Sequence, residues 1–185
     1  MKRRDFCLSL APAALAGIAR GSEVPRPAPD IVINMPNGKP PLRLSQLKGK
    51  VIAVEFLLTY CSHCQKASRT SEIMYREYGA KGFTVVGAAI NPGGDVNAYV
   101  RDLNLTFPVG SVAQEVCMSF MQVPMTARLL MPQVAFVDKE FRIAAQYSGD
   151  ANFFQFDEEK QMREQIEKLL RQGAAPAARR PARKK

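Results

Sequence analysis

Three stretches of the chain are apolar almost without interruption and of strand length: Val51 to Leu58, Phe83 to Ile90 and Gln133 to Val137. Runs of this kind suit strands covered on both faces of a sheet, where no polar side is needed. Elsewhere the apolar positions recur at helical spacing. Cys64 to Tyr78 places Ala67, Ile73 and Met74 on one side and stops near Gly79. Asp95 is placed to cap a helix reaching about Leu103, and Val112 to about Met121 forms another. Asp157 to Arg171 carries Met162, Ile166, Leu169 and Leu170 on one face and ends before Gly173. Thr106 to Val109 reads as extended, and Asn91-Pro92-Gly93-Gly94 as a break.

Two hairpins frame these elements. Asp30 to Asn34 alternates apolar and polar residues, Asn37-Gly38 turns the chain, and Leu42-Arg43-Leu44 follows. Ser45 then caps a turn over Gln46-Leu47-Lys48 that Gly49 ends. Near the other end, Arg142 to Tyr147 follows the turn Asp138-Lys139-Glu140 as antiparallel partner of the third apolar run. Strands alternating with helices and closing on a hairpin predict an α/β fold with a central mixed β-sheet flanked by helices.

The chain ends do not share this pattern. Lys2-Arg3-Arg4 leads into a short apolar run with small residues at Ala14-Leu15-Ala16. Residues 1–21 therefore read as an export signal, and Arg3-Arg4-Asp5-Phe6-Cys7-Leu8 resembles the twin-arginine type. The run falls short of the roughly 18 apolar residues of a membrane span. Cys7 would leave with the signal. Residues 22–28 form a proline-rich lead that does not fold alone, 29–172 the domain, and 173–185 a disordered tail of Ala, Pro and basic residues. The expected location is the periplasm or the outer face of the cytoplasmic membrane. An uncleaved signal would be the only membrane attachment.

Composition agrees with one soluble domain: 46% of residues are hydrophobic and 23% charged, enough for a single core. The net charge of +9 invites a nucleic-acid reading, but the first five residues carry +2 of it and the tail +5. The remaining +2 is ordinary, and no basic stripe with interleaved aromatics runs through the middle, so nucleic acid is not an expected partner.

The chemistry sits at Cys61-Ser62-His63-Cys64. Two thiols separated by two residues, after a buried strand and at the start of a helix, form a redox pair. Free backbone N–H groups and the positive end of the helix dipole favour a thiolate there, bringing a cysteine pKa from about 8.5 into the range of roughly 3.5–7.5. Cys61 is the exposed nucleophile, and Cys64, one turn deeper, resolves the mixed disulfide. His63, the only histidine, adds a nearby positive charge that tunes the Cys61 thiolate. A structural zinc would need a second ligand pair, and only Cys117 remains, so no metal is expected. Glu55 interrupts the first apolar run six residues before Cys61. Buried there, it would have a raised pKa and shuttle the proton of Cys64.

These residues carry a resemblance. Gly49-Lys50-Val51-Ile52-Ala53-Val54-Glu55-Phe56 followed by Tyr60-Cys61-Ser62-His63-Cys64 resembles the thioredoxin superfamily. It is most similar to the TlpA/ResA-like extracytoplasmic thiol–disulfide oxidoreductases of the redoxin (AhpC/TSA) group. The segment from Pro29-Asp30 through Gly49-Lys50 looks like their N-terminal hairpin extension, and Met131-Pro132 followed by Gln133 to Asp138 like their cis-proline loop and strand. The resemblance implies a thioredoxin-like fold, a Cys61–Cys64 disulfide, Glu55 as the buried acid, and Pro132 as a cis-proline facing the dithiol. It further implies that Met131 and Tyr60 contact substrate. Tyr60, Ser62 and Gln133 replace the usual Trp, Pro and Thr.

The expected function is thiol–disulfide exchange with protein substrates, by a monomer without a cofactor, reset by an upstream redox partner. Two alternatives stand beside it. Cys117, Met118, Met121, Met125 and Met131 could join the dithiol in a Cu(I)-binding metallochaperone, although methionine is an ordinary filler of cores. A thiol-dependent peroxidase with antioxidant activity is the other, but the peroxiredoxin pattern Pro-x-x-x-Thr-x-x-Cys fails, because Ser62 stands three residues after Thr59.

Overall fold

A computed structural model describes residues 23–172. The export signal read at 1–21, with Cys7, and the tail read at 173–185 lie outside the described residues. Among the described residues the strands are β1 (Arg26–Pro27), β2 (Val32–Ile33), β3 (Leu42–Arg43), β4 (Val51–Leu57), β5 (Phe83–Ala89), β6 (Val109–Ser111), β7 (Gln133–Val137) and β8 (Arg142–Tyr147). The helices are α1 (Ser62–Tyr78), α2 (Val96–Asp102), α3 (Gln114–Met121), α4 (Asn152–Gln155) and α5 (Glu158–Gln172).

The central sheet has the order β1-β8-β7-β4-β5-β6. β4 pairs parallel with β5 and antiparallel with β7, so the sheet is mixed. Every residue of β4, β5 and β7 is buried, which is why their sequences lack an alternating polar side. Alternation decides what each residue of β4 meets. Val51, Ala53 and Leu57 face a core built with α1, α2, α4 and α5, and Glu55 shares their parity. Ile52, Val54 and Phe56 face a second core built with α3 and the hairpin residues Ile31, Ile33 and Leu44.

The hairpin β2–β3 forms where the sequence predicts it, with Asn37 and Gly38 at positive φ. It closes the far edge of the sheet through reciprocal backbone bonds of 2.9 Å between Asn34 and Ser111. Gly110 makes that approach possible, since a Cβ there would stand 2.5 Å from the Asn34 carbonyl oxygen and 2.7 Å from Ile33.

Other elements differ from expectation in ways that packing explains. The proline-rich lead does not hang free: Arg26–Pro27 pairs with β8, and the Arg26 guanidinium donates to the Phe120 carbonyl at 2.7 Å. Ser45 sits inside a 3₁₀ turn over Leu44–Leu47 rather than capping it, with its N–H and hydroxyl both bonded to Asp30. The last edge strand falls at Val109–Ser111, beyond the expected start at Thr106, because pairing with Gly87 to Ala89 sets its register. Helix α3 accordingly begins at Gln114. Helix α1 begins at Ser62, two residues early, and its Ile73 is 48% exposed.

Replacing Gly110 with alanine forces the hairpin away from the sheet edge. The expected result is a loss of about 1–3 kcal/mol, read as a lower urea midpoint with the sheet retained by circular dichroism.

Candidate active site

The turn from β4 to α1 is held by side chains rather than by regular structure. The Asn91 side chain accepts from the Thr59 N–H at 3.1 Å and donates to the Thr59 hydroxyl at 3.0 Å. Gln65 adds a bond to the Thr59 carbonyl at 3.2 Å. Thr59 is thereby fixed on three atoms, and the chain delivers Cys61 to the N-cap of α1. There the Cys64 N–H donates to Cys61 Sγ at 3.4 Å. One of the first-turn N–H groups, which have no partner within a helix, therefore points at sulfur.

The two cysteines, both free thiols, occupy different surroundings: Cys61 is half-buried and Cys64 fully buried. Burial drives the Cys64 thiol far above its ordinary pKa, and the adjacent Cys61 and Glu55 add to that effect. His63 and Tyr60 both face solvent, Tyr60 with 73% of its surface exposed.

Glu55 has no solvent contact. Ser68 donates to its Oε1 at 2.7 Å and Ser71 to its Oε2 at 3.0 Å. Burial raises the carboxyl to about 7, the two serine bonds oppose the rise, and the nearby Glu158 carboxylate assists it. Ser68 also shares a 2.7 Å hydrogen bond with the Tyr99 hydroxyl. Cys64, Ser68 and Ser71 lie four and three residues apart on α1, so one helix face carries the inner thiol and both serines. Glu158, buried at the start of α5, has Oε2 3.6 Å from Lys66 Nζ. Burial raises its carboxyl as well, against the opposing charge of Lys66.

Met131 packs, as Cys61 does, against the core that contains Cys64, and the Met131–Pro132 peptide is cis. The chain at 148–151 presses onto this loop. The Gly149 N–H donates to the Leu130 carbonyl at 3.1 Å, and any Cβ on Gly149 would overlap the Met131 carbonyl. Tyr147 stacks on Phe153 at 4.1 Å, and both rings meet Phe136 edge-on, which anchors that segment to the sheet.

The structure brings Cys61, Cys64 and Glu55 together, packs Met131 against the same core, and leaves Cys117 apart. Cys117, Phe120 and Met121 fill the core on the opposite face of the sheet from Cys64, with Met118 also buried and Met125 63% exposed. Burial pushes the Cys117 thiol up to about 12. Of the sulfur residues in the copper reading, Met131 packs against the core of the dithiol, whereas Cys117 and Met121 lie across the sheet from it.

Sequence reasoning missed Ser68, Ser71, Tyr99, Asn91, Glu158 and Gly149. The two serines carried a usable signal: polar residues at four- and seven-residue spacing from Cys64, on the face turned toward a buried acid. Asn91 reads only as part of a turn, and Gly149 has no local signal, because what it avoids lies eighteen residues away in sequence.

A family model described as Redoxin matches residues 23–166. "Thiol-disulfide oxidoreductase ResA" of Bacillus thuringiensis is 24% identical over 151 residues, covering 80% of this chain and 78% of its own length. A thiol:disulfide interchange protein of the thioredoxin family from Chlorobium tepidum superposes with a TM-score of 0.66 at 22% identity, over 80% of this chain and 99% of that one. A thiol:disulfide interchange protein from a Bacteroides species does so with a TM-score of 0.62 at 18% identity, over 88% and 97%. These structural matches share the thioredoxin-like fold.

Glu55 makes stability depend on pH in a definite direction. Between about pH 4.5 and 7 the folded chain holds a proton there that the unfolded chain has lost, so stability falls as pH rises through that window. Glu55→Gln is expected to flatten this decline and to leave the protein more stable than wild type at pH 8, by on the order of 2–3 kcal/mol. Urea unfolding at pH 5 and pH 8 measures both effects. An unchanged pH slope in the variant would remove Glu55 as its source.

Proposed function

The chain belongs to the Redoxin family, and on that premise we propose that it is an extracytoplasmic thiol–disulfide oxidoreductase acting on protein thiols and disulfides through Cys61 and Cys64. The observation that carries the reading is the position of Glu55. A carboxyl raised to about 7 lies under the buried thiol that must lose a proton for the reaction to finish. The export-signal pattern at 1–21 supports an extracytoplasmic location.

In the reductive direction, the Cys61 thiolate attacks one sulfur of a substrate disulfide. The other substrate sulfur leaves with the bonding electron pair and takes a proton from solvent. Cys64 is kept protonated by burial until then, which protects the mixed disulfide from premature closure. Its proton passes to Glu55, near neutral pH an effective acceptor. The Cys64 sulfur attacks Cys61, the Cys61–substrate bond breaks, and the electron pair departs with the substrate sulfur. Two electrons have moved to substrate, and Cys61–Cys64 is a disulfide. The reverse sequence oxidises substrate thiols. Met131, held beside the cis-proline by Gly149, offers backbone to an extended substrate segment, and exposed Tyr60 offers an apolar contact. An upstream partner resets the pair.

Challenge with glutathione disulfide tests the assignment. Cys64→Ser is expected to accumulate a stable mixed disulfide at Cys61 and Cys61→Ser to form none, both read by mass after acid quench. Wild-type protein that leaves both thiols unreacted would sink the oxidoreductase reading. Titration against glutathione then gives the direction of use, since strong oxidants sit near about −120 mV and reductants near about −270 mV. His63→Ala is expected to move the potential roughly 30 mV toward the reducing side, because a side chain next to the dithiol that can favour the thiolate is lost.

A further inference from the structure

A buried base needs a way to lose the proton it accepts. Glu55 has no solvent contact, so proton release must run through its neighbours. The groups around it are Cys64, Ser68 and Ser71 from α1, Tyr99 from α2, and Glu158 from α5 with Lys66. Only some of them form a continuous hydrogen-bonded line. Ser68 Oγ stands 2.7 Å from Glu55 Oε1 and 2.7 Å from the Tyr99 hydroxyl. Ser71 reaches the other oxygen, and beyond it, among the described residues, lies only the Met162 sulfur at 4.0 Å. Among the described residues no hydrogen bond joins Glu158 to Glu55, and Glu158 Oε1 has no partner at all.

Tyr99 ends the line at a wall. It is 4% exposed and lines a cavity of about 350 Å³ shared with Thr59, Tyr60, Gln65, Arg69 and Asp95, beside the turn that presents Cys61. A space of that size with polar walls holds water. We propose that Ser68 and Tyr99 form a proton relay that connects Glu55 to this cavity, so that the Cys64 proton leaves without opening the core. This rests on the dithiol reading above and adds two residues to it.

The transfer balances without any further reactant. After Glu55 takes the Cys64 proton, the Ser68 hydroxyl, which had donated to Oε1, turns toward Tyr99 and the Tyr99 hydroxyl toward the cavity, and the proton passes from Oε1 to Ser68 Oγ. The Ser68 hydroxyl proton passes to the Tyr99 oxygen, and the Tyr99 proton passes to water in the cavity. Each oxygen ends with the bonds it began with, oriented the other way, and the net result is one proton moved from Cys64 to solvent. Neither hydroxyl needs to ionise, since each receives a proton as it gives one up. That matters for Tyr99, whose hydroxyl burial and the nearby Glu55 hold strongly protonated.

The test is the lifetime of the Cys61–glutathione mixed disulfide in the full chain, followed by acid quench and mass between about pH 5 and 9. Tyr99→Phe keeps the ring and the Ser68–Glu55 bond and removes only the outer hydroxyl. It is expected to slow resolution about tenfold, less than the roughly hundredfold loss of a general base, without moving the pH inflection. In mixtures of light and heavy water, the wild-type rate should curve, as for several protons moving together, and the Tyr99→Phe rate should not. Ser68→Ala should slow resolution and raise the inflection, because Glu55 also loses a hydrogen bond, and Ser68→Thr should restore the rate. Resolution of Tyr99→Phe at the wild-type rate across this range overturns the relay and leaves the oxidoreductase reading intact. If no mixed disulfide forms in any protein, both fail.

Discussion

One carboxyl group is placed where water cannot reach it, and much of the structure is arranged around that burial. An ionised carboxylate in an apolar interior is very unfavourable unless it is hydrogen-bonded or neutralised. Glu55 sits on the central strand with every neighbour along the strand buried, and two serine hydroxyls answer its two oxygens. Both serines come from one face of α1, and that face also carries Cys64. Satisfying Glu55 therefore sets the rotation of α1 about its axis, and the rotation sets the inner thiol over the acid. A structural requirement and a chemical one are met by the same few contacts.

The two cysteines differ because the helix start and the core differ. Cys61 ends the turn that Asn91 and Thr59 hold, at a helix terminus with an N–H directed at its sulfur. Cys64 is one turn inward and shut off from solvent, where the neutral thiol is favoured. Attack and resolution are thus separated by environment rather than by residue type. On the far face of the sheet, Cys117 shares the thiol chemistry but none of the surroundings, and it behaves as core.

Much of this was legible in the chain. The three apolar runs became β4, β5 and β7, and the closing hairpin and the long amphipathic helix fell close to their predicted bounds. Their signals are local: a strand buried on both faces must be apolar throughout, and a helix on a sheet must show a 3.6-residue period. What escaped was settled between distant segments. The register of β6 depends on β5, the lead joins the sheet only because β8 offers an edge, and Ile73 is exposed because its part of α1 faces outward.

The same division holds at the site. Residue type and short spacing were enough to read the Cys61–Cys64 pair at a helix start and an acid in a strand that excludes water, while the Met131-Pro132 landmark came from the family resemblance. Contacts between distant segments put Ser68, Ser71 and Tyr99 around Glu55, let two backbones meet at Met131 opposite Gly149, and set Cys117 across the sheet. Serine, tyrosine and glycine are ordinary in surface helices and loops. Their roles come from the hydrogen-bonding groups and the space that folding brings opposite them.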